Sequence, residues 1–262
     1  MSTPHIVIDK SSPIWRVTID RPDVKNAHDL QTFKELVAAF DEVEADPACR
    51  CAVLTGAGGF FSAGQDLRFT AQADAMDIDA YGRWNVAARQ RIQRNFKPVV
   101  AAVNGPAIGG GVYLATACDL VVSVDSAFFQ MREIQAGNHS GGAFLFTVGR
   151  ARSLELSLLG GRLPAPQALE WGLINRCVPR EDFDSTVDEL ANALAELPPL
   201  AIRYTKNATN LLLDMAGFSN HMEAGAPMQR YLGLTPDGRE AKRAFNERRK
   251  PAFTGRFPRP AD

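Results

Sequence analysis

The stretch "AVNGPAIGGGVYLA", residues 102–115, joins a short apolar strand, a glycine-rich turn and the start of an apolar helix. Its three consecutive glycines, 109–111, stand where the strand gives way to the helix. The first N–H groups of a helix have no intrahelical partner and carry the positive end of the helix dipole. Because glycine has no side chain, a ligand oxygen can reach those groups. The stretch therefore predicts a ligand site at the carboxyl edge of a parallel sheet.

A second loop, "GAGGFFSAGQD" at 56–66, follows the apolar run "CAVLTG" at 51–56 in the same way. Neither loop is a dinucleotide or phosphate motif, because Phe61 stands where G-x-G-x-x-G needs its third glycine and neither loop ends in G-K-[ST]. One N–H from each loop would form an oxyanion hole. The spacing alone leaves open that the glycines serve tight turns or close helix packing instead.

Composition limits the choice of partners. The chain of 262 residues is 45% hydrophobic and carries 29 basic and 30 acidic residues, so its net charge of -1 gives no pull toward nucleic acid or an anionic membrane. Cys49, Cys51, Cys118 and Cys177 have neither a paired framework nor C-x-x-C spacing, which predicts free thiols in a reducing compartment. Without a targeting sequence or an apolar run near the ~20 residues of a membrane span, we expect a cytoplasmic protein.

The first half of the chain alternates predicted strands and helices. "HIVID" (5–9) and "WRVTID" (15–20) predict a hairpin, and helically spaced apolar residues predict a helix from Asp29 that ends near "ADP" at 45–47. The acidic segment 71–79 predicts a flexible insertion before a helix that runs from Tyr81 to about Phe96.

The later part of the chain has two more predicted strands and then becomes mainly helical. "DLVVSV" (119–124) and "AFFQM" (127–131) predict further strands, and after about residue 150 helical patterns dominate. Strands that alternate with helices are typical of right-handed crossovers between parallel strands. The sequence thus predicts an α/β protein that ends in a mainly helical lobe.

Several motifs together resemble the enoyl-CoA hydratase/isomerase superfamily, also called the crotonases. They are "RPDVKNAHDL" (21–30), "FFSAGQDL" (60–67), "PVVAAVNGPAIGGGVYLATACDLVV" (98–122), "SAFFQMREI" (126–134), "APQALEWGLINRCVP" (165–179) and "AFNERRKPAFTGR" (244–256). The resemblance implies a crotonase-like core of repeated ββα units over residues 1–195 that binds acyl-CoA. It also implies a helical C-terminal lobe over 196–262 for oligomer contacts and closure over CoA, in a homotrimer or a dimer of trimers.

The resemblance implies an acyl-CoA thioester enzyme that stabilises an enolate. Its oxyanion donors would be the backbone N–H groups of Gln65 and Gly110. The coenzyme A of the substrate would be the only coenzyme, with no metal. The substrate-binding residues that the motifs imply are Lys25, Ala63, Asp66, Leu67 and Arg68. Lys25 and Arg68 would meet the CoA phosphates, with plain surface solvation as the alternative.

Family members that hydrate enoyl-CoA use two glutamates. The position of the first, in the helix after the triple glycine, holds Tyr113 here, and the second matches Glu133 in "MREI". A phenol with a pKa of ~10 is a poor base at neutral pH, so Tyr113 would donate a hydrogen bond, shape the acyl pocket or simply fill a helix face. Burial would raise the pKa of Glu133, which suits a group that takes and returns a proton.

The loop 137–142 departs from the family pattern. It is several residues short and has Ser140 where relatives commonly have a longer, proline-containing segment before paired glycines. His139 in this loop is a candidate substrate-binding residue and second acid or base, or else a histidine bonded to backbone or water.

Three kinds of function remain open on the sequence. Family frequency favours a hydratase, while the lone glutamate favours a double-bond isomerase or a hydrolase that opens a β-keto thioester. A relative that binds CoA thioesters without turnover is kept open by Tyr113 and opposed by Glu133. RNA binding, which occurs in some relatives, is disfavoured by the near-neutral charge, since the most basic stretch, "REAKRAFNERRK" (239–250), falls in the C-terminal segment.

Overall fold

The fold is built on two sheets. The computed structural model describes residues 3–140, 142–247 and 249–255. The strands are β1 (Ile6–Asp9), β2 (Ile14–Ile19), β3 (Cys51–Gly56), β4 (Val99–Val103), β5 (Ala107–Ile108), β6 (Leu120–Val124), β7 (Phe128–Gln130), β8 (Arg162–Pro164) and β9 (Arg176–Val178). The larger sheet has the order β1-β2-β3-β4-β6-β9, and the smaller one has the order β5-β7-β8.

The helices cover the larger sheet and form the C-terminal region. They are α1 (Leu30–Ala45), α2 (Leu67–Gln72), α3 (Ala75–Gln93), α4 (Gly110–Ala117), α5 (Leu145–Leu159), α6 (Ala165–Trp171), α7 (Arg180–Glu196), α8 (Pro199–Met215), α9 (Phe218–Leu234) and α10 (Pro236–Asn246). Short 3-10 turns lie at Pro22–Val24 and Gly142–Phe144. The α/β class with a helical C-terminal region is confirmed.

The larger sheet is parallel apart from its first strand. β1 and β2 form the predicted antiparallel hairpin, and from β2 to β9 every neighbouring pair is parallel. All five residues of β4 are buried, because parallel strands have both faces covered. The carboxyl ends of β3 and β4 lie side by side, so the loops that follow them share one edge of the sheet.

The predicted flexible insertion at 71–79 is wrong. Residues 67–72 form α2, and α3 already begins at Ala75 instead of near Tyr81. The Asp74 carboxylate caps α3 by accepting the N–H groups of Met76 at 2.7 Å and Asp77 at 2.8 Å. Acidic residues at a helix N-terminus stabilise the exposed N–H groups and the helix dipole. The acidic composition was therefore a helix-start signal.

The C-terminal helices pack on α3 and on one another. α9 contacts α3, α8 and α10, and α8 has no buried residue along its length. Large apolar side chains of α8 are exposed, with Leu212 68% and Met215 77% accessible. The boundary at 195/196 stays a prediction, and the end of the second segment, 256–262, lies outside the described residues. Within the described chain, no helix combines the length and apolar character needed to cross a membrane.

Candidate active site

The two glycine loops meet at the edge of the sheet. The N–H of Ser62 donates to the carbonyl of Pro106 at 3.2 Å, and the N–H of Ile108 donates back to the carbonyl of Ser62 at 2.8 Å. A Cβ placed on Gly64 would lie 2.6 Å from the oxygen of Ile108 and 3.2 Å from the nitrogen of Gly110. With φ at +83° as well, Gly64 is required both by its conformation and by this close approach.

A short parallel bridge aims the N–H of Gln65. His28 pairs with Gln65 through its neighbours: the N–H of His28 donates to the carbonyl of Gly64 at 2.7 Å, and the N–H of Asp66 donates to the carbonyl of His28 at 2.8 Å. In such a bridge the central residue turns its own N–H to the opposite side. No acceptor within the described chain pairs with that N–H.

The second donor is the first helical residue of α4. Gly110 opens α4, so its N–H has no intrahelical acceptor. Gly109 before it has a φ of +52° and donates its own N–H to the carbonyl of Gln130 at 2.8 Å. Gln65 and Gly110 are both only partly buried, which leaves their N–H groups reachable. The predicted oxyanion donors therefore lie on loops that touch.

Glu133 lies beside this pair of loops. It follows β7, which runs parallel to β5, so the turn after β7 comes next to Gly109 after β5. A Cβ on Gly109 would lie 3.0 Å from Oε1 of Glu133. Oε2 is buried and has no hydrogen-bond partner among the residues described. Burial raises the pKa of Glu133 to about 7, although backbone hydrogen bonds partly oppose this shift.

A buried histidine supports the first loop, and the sequence reading did not single it out. The Ser62 hydroxyl donates to the carbonyl of Asn26 at 2.8 Å, and Nε2 of His28 lies 2.7 Å from the same hydroxyl oxygen. Nε2 must therefore carry the proton and donate it. Burial lowers the pKa of His28 to about 3, so the ring is neutral.

The same serine holds the backbone of the loop. Its hydroxyl oxygen also accepts the N–H of Gly64 at 3.1 Å. On the other side of the ring, Nδ1 of His28 is buried without a hydrogen-bond partner in the described chain, and a Cβ on Gly110 would lie 3.2 Å from it. His28 thus contacts both glycine loops. The local sequence "NAHDL" does not mark His28 as a buried residue, because Asn26 and Asp29 beside it are polar as well.

Tyr113 faces aromatic and polar neighbours. Its ring is stacked on Phe144 with the ring centres 5.4 Å apart, and its hydroxyl lies 3.3 Å from the hydroxyl of Ser140 in the short loop. The guanidinium carbon of Arg89 lies 4.6 Å from the centre of the Tyr113 ring. The sequence reading missed Arg89, because an arginine in an amphipathic helix looks like a solvated residue.

His139 is held by the C-terminal helices. Its Nε2 lies 2.9 Å from the carbonyl oxygen of Gly225 in α9, which is the backbone-bonded alternative considered for this loop histidine. It also lines a shallow apolar pocket with Met228 and Tyr231. His139 therefore contacts α9, and its second-acid role stays a prediction.

The predicted CoA-binding residues divide into two groups. Lys25, Leu67 and Arg68 are exposed, and the backbone of Lys25 accepts the N–H of Ala63 at 2.9 Å. By contrast, the side chain of Asp66 is buried and already engaged. It forms an ion pair with Arg21 at 3.0 Å and caps α2 through the N–H of Arg68 at 3.0 Å. The surroundings of Asp66 are those of a structural residue.

The remaining chemistry-bearing groups give no further centre. Cys49, Cys51, Cys118 and Cys177 are all free, as predicted. In the ranges that the structure describes, no three His, Cys, Asp or Glu side chains converge as metal ligands would.

Comparisons with known proteins agree with this geometry. The family model for enoyl-CoA hydratase/isomerase matches residues 9–256. The chain is 37% identical to carnitinyl-CoA dehydratase of Citrobacter koseri, with 94% of this chain and 97% of that protein covered. It is 35% identical to 1,2-epoxyphenylacetyl-CoA isomerase of Escherichia coli strain K12, with 93% and 95% covered.

A solved structure from the same family has the same fold. An enoyl-CoA hydratase from Mycobacterium avium subsp. paratuberculosis K-10 superposes with a TM-score of 0.86 at 31% identity, over 95% of this chain and 98% of that one. A strand-and-helix core with two glycine loops at one sheet edge is the architecture of the crotonases. The chain belongs to the enoyl-CoA hydratase/isomerase family, and it is an acyl-CoA enzyme of the hydratase/isomerase type, a lyase or an isomerase.

Proposed function

We propose that the protein moves a double bond in an enoyl-CoA thioester, with Glu133 as the proton carrier and the N–H groups of Gln65 and Gly110 as the oxyanion hole. The observation that carries this proposal is the buried Oε2 of Glu133, which has no hydrogen-bond partner among the described residues and lies next to Gly109, one residue from the second donor. A carboxylate in that position meets the carbon next to a carbonyl that is held by the two N–H groups.

The proposed reaction balances with one carboxylate. Ionised Glu133 removes a proton from C2 of a 3-enoyl thioester, and the electron pair of the C–H bond moves onto the carbonyl oxygen as a dienolate. The N–H groups of Gln65 and Gly110 stabilise that charge, each by ~2.7 to 4 kcal/mol in a closed site. Glu133, now protonated, returns the proton to C4, and the double bond ends between C2 and C3. No water is added or lost, and the only coenzyme in the scheme is the CoA of the substrate.

A tyrosine at position 113 is more compatible with isomerisation than with hydration. Hydration in this family uses a second carboxylate at the Tyr113 position, and a phenol does not deprotonate water at neutral pH. A 35% identical relative bears the name of an isomerase, and this agrees with the proposal. The name carnitinyl-CoA dehydratase of another relative favours loss of water as the second candidate.

The CoA part of the substrate would lie along the exposed residues after the first loop. Lys25 and Arg68 are the proposed partners of its phosphates, with Ala63 and Leu67 beside the pantetheine arm. Asp66 would contribute by fixing the start of α2, since its carboxylate already pairs with Arg21.

We also propose that the protein assembles as a homotrimer or a dimer of trimers in the cytoplasm. The exposed apolar side chains of α8 support self-association, since soluble monomers rarely expose so many in one patch. They are Leu200, Tyr204, Leu211, Leu212 and Met215. Four free cysteines suit a reducing compartment. Light scattering should give three or six times the chain mass, and a monomer mass would contradict the assembly.

The test of the reaction is mass spectrometry of 2-enoyl, 3-enoyl and cyclic β-keto CoA thioesters in deuterated water. The wild type should wash deuterium into the acyl chain, and Glu133→Gln should be slower by about 10²- to 10⁴-fold. A product of unchanged mass, apart from deuterium, means isomerisation, and the gain of water means hydration or ring opening. Equal exchange by both proteins would remove Glu133 from the chemistry and make His139 or Tyr113 the candidate.

A further inference from the structure

Arg89 differs from the other arginines in α3 and at its C-terminal end. Arg83, Arg91 and Arg94 each form an ion pair with a carboxylate, those of Asp79, Asp41 and Asp214. Arg89 is partly buried, and its Nη2 contacts only the sulfur of Met222, at 3.2 Å. No carboxylate among the described residues pairs with it.

Among the residues that the structure describes, no negative charge compensates that of Arg89. The ring of Tyr113 lies under the guanidinium, and burial lowers the pKa of Arg89. His221 lies nearby, and its pKa is lowered by burial and then by His139 and Arg89. A buried cation normally has an anionic partner, because removing a charge from water is costly unless another charge compensates it. The neighbours of this cation among the described residues are the aromatic face of Tyr113 and the sulfur of Met222.

The position of Arg89 relates it to the acyl group. Tyr113 follows Gly110 by three residues on α4, so its ring projects from the helix turn that carries the oxyanion donor. Arg89 lies against that ring, and the Tyr113 hydroxyl reaches Ser140 in the short loop. Arg89 is thus placed beyond the thioester, where the far end of an acyl chain would extend.

We propose that Arg89 binds a carboxylate at the far end of the acyl group, so that the substrate is the CoA monothioester of a dicarboxylic acid. The planar guanidinium donates two parallel N–H bonds to a carboxylate, which fixes the register of the chain as well as adding affinity. This inference rests on the proposed function, because that function places the thioester carbonyl at Gln65 and Gly110. It makes Arg89 a specificity-determining residue and leaves the proton transfer to Glu133.

Binding measured by calorimetry tests the assignment without requiring turnover. The probes are succinyl-CoA, glutaryl-CoA and adipyl-CoA, each beside its neutral methyl ester, with free CoA as the reference. For the chain length that reaches Arg89, we expect the wild type to bind the free acid about 10- to 100-fold more tightly than the ester. Arg89→Met should abolish that preference, and Arg89→Lys should retain part of it.

Arg91→Met is the matched control. It removes the same charge from the same helix, where Arg91 is exposed and paired with Asp41, so it should keep the preference of the wild type. An acid-to-ester ratio near one for the wild type at all three lengths would overturn the inference, and this comparison needs no variant to fold. An equal loss in Arg91→Met would also overturn it, since the effect would then be general electrostatics.

The two proposals fail in different ways. If the thioesters bind and exchange their α-protons but the free acids gain nothing over their esters, the carboxylate subsite is wrong and the proposed reaction stands. If neither the thioesters nor free CoA bind, the proposed function is wrong and the inference falls with it.

Discussion

The two ends of the site are built differently. The proposed carbonyl end consists of the N–H groups of Gln65 and Gly110, and buried hydrogen bonds of His28 and Ser62 hold the backbone around it. The proposed acyl end consists of Tyr113, Arg89 and the loop 137–142, and the side chain of Tyr113 contacts both Arg89 and Ser140 of that loop. The first end follows the family pattern, and the second departs from it.

Because of this difference, the class of reaction and the choice of acyl group depend on different parts of the site. A backbone N–H is present whatever the side chain, so an oxyanion hole persists as long as the loops keep their conformation. A pocket made of side chains changes with each substitution. We therefore read the class of reaction from the carbonyl end and the acyl specificity from the acyl end.

Among variants that keep Glu133, the largest expected effect on the rate is at Gly64. Gly64→Ala would bring a Cβ within 2.6 Å of the oxygen of Ile108 and displace the loop that carries Gln65. We expect kcat to fall by about 10²- to 10³-fold, as on loss of one oxyanion donor. Gly59→Ala is the control, because Gly59 has a φ of +73° in the same loop but no atom within 4 Å of the added Cβ. Equal losses in both variants would mean that backbone strain alone is responsible.

The next largest effect is expected in the pH dependence of proton exchange, which requires Glu133. Glu133 must be ionised to remove a proton, and its pKa is raised to about 7 by burial. The kcat/KM for α-proton exchange should therefore rise about tenfold between pH 6 and pH 8 and level off above that range. A carboxyl with its ordinary pKa would give a flat profile there. A flat profile would show that the base is not Glu133 in its buried state.

Replacement of His28 tests whether the loop depends on its buried support. His28→Leu removes the bond to the Ser62 hydroxyl, and Ser62→Ala removes the same bond from the other side. We expect His28→Leu to lower kcat by about fivefold, the value of one hydrogen bond, and Ser62→Ala to lower it further, because Ser62→Ala also removes the bonds to Asn26 and Gly64. The affinity for free CoA should change little in either variant. Because both variants remove the contact between His28 and Ser62, the double variant should lose less than the product of the two. Fully multiplicative losses would show that the two residues act separately.

The smallest effect on the rate is expected on removal of the Tyr113 hydroxyl. Tyr113→Phe removes only the hydroxyl, whose contact with Ser140 is 3.3 Å long, and keeps the ring between Phe144 and Arg89. The rate of exchange should change by less than about threefold, within the value of one weak hydrogen bond. A loss comparable to that of Glu133→Gln would make Tyr113 an acid in the reaction and would erase the distinction between the two ends.

The sequence predicted the carbonyl end better than the acyl end. Glycines clustered after an apolar run have few physical uses. The sequence therefore predicted the loops after β3 and β4, the strands before them and the N–H groups that they expose. The hairpin, α1 from its Asp29 cap, and the parallel strands followed from local periodicity. The start of α3 did not follow from periodicity. The acidic residues at 74–79 favour a flexible segment by composition, whereas in the structure they begin and cap the helix.

The acyl end depends on contacts between distant segments. Arg89 is unusual because no carboxylate of the described residues pairs with it when α3 packs against α4 and α9, and spacing in the sequence does not contain that information. His28 is similar, since its partner Ser62 is brought to it by the pairing of two loops. Sequence patterns report which face of a helix is apolar. They do not show which polar side chain lacks an ion-pair or hydrogen-bond partner after the helices have packed.

The central claim is that one carboxylate both removes and returns the proton. It is tested most directly by a single turnover in ordinary water of a 3-enoyl-CoA in which deuterium replaces both C2 hydrogens. The account predicts that part of the 2-enoyl product carries deuterium at C4, because the buried Glu133 transfers the atom it has taken before exchanging it with solvent. Product with only solvent hydrogen at C4 would contradict the account and require a second acid at the acyl end.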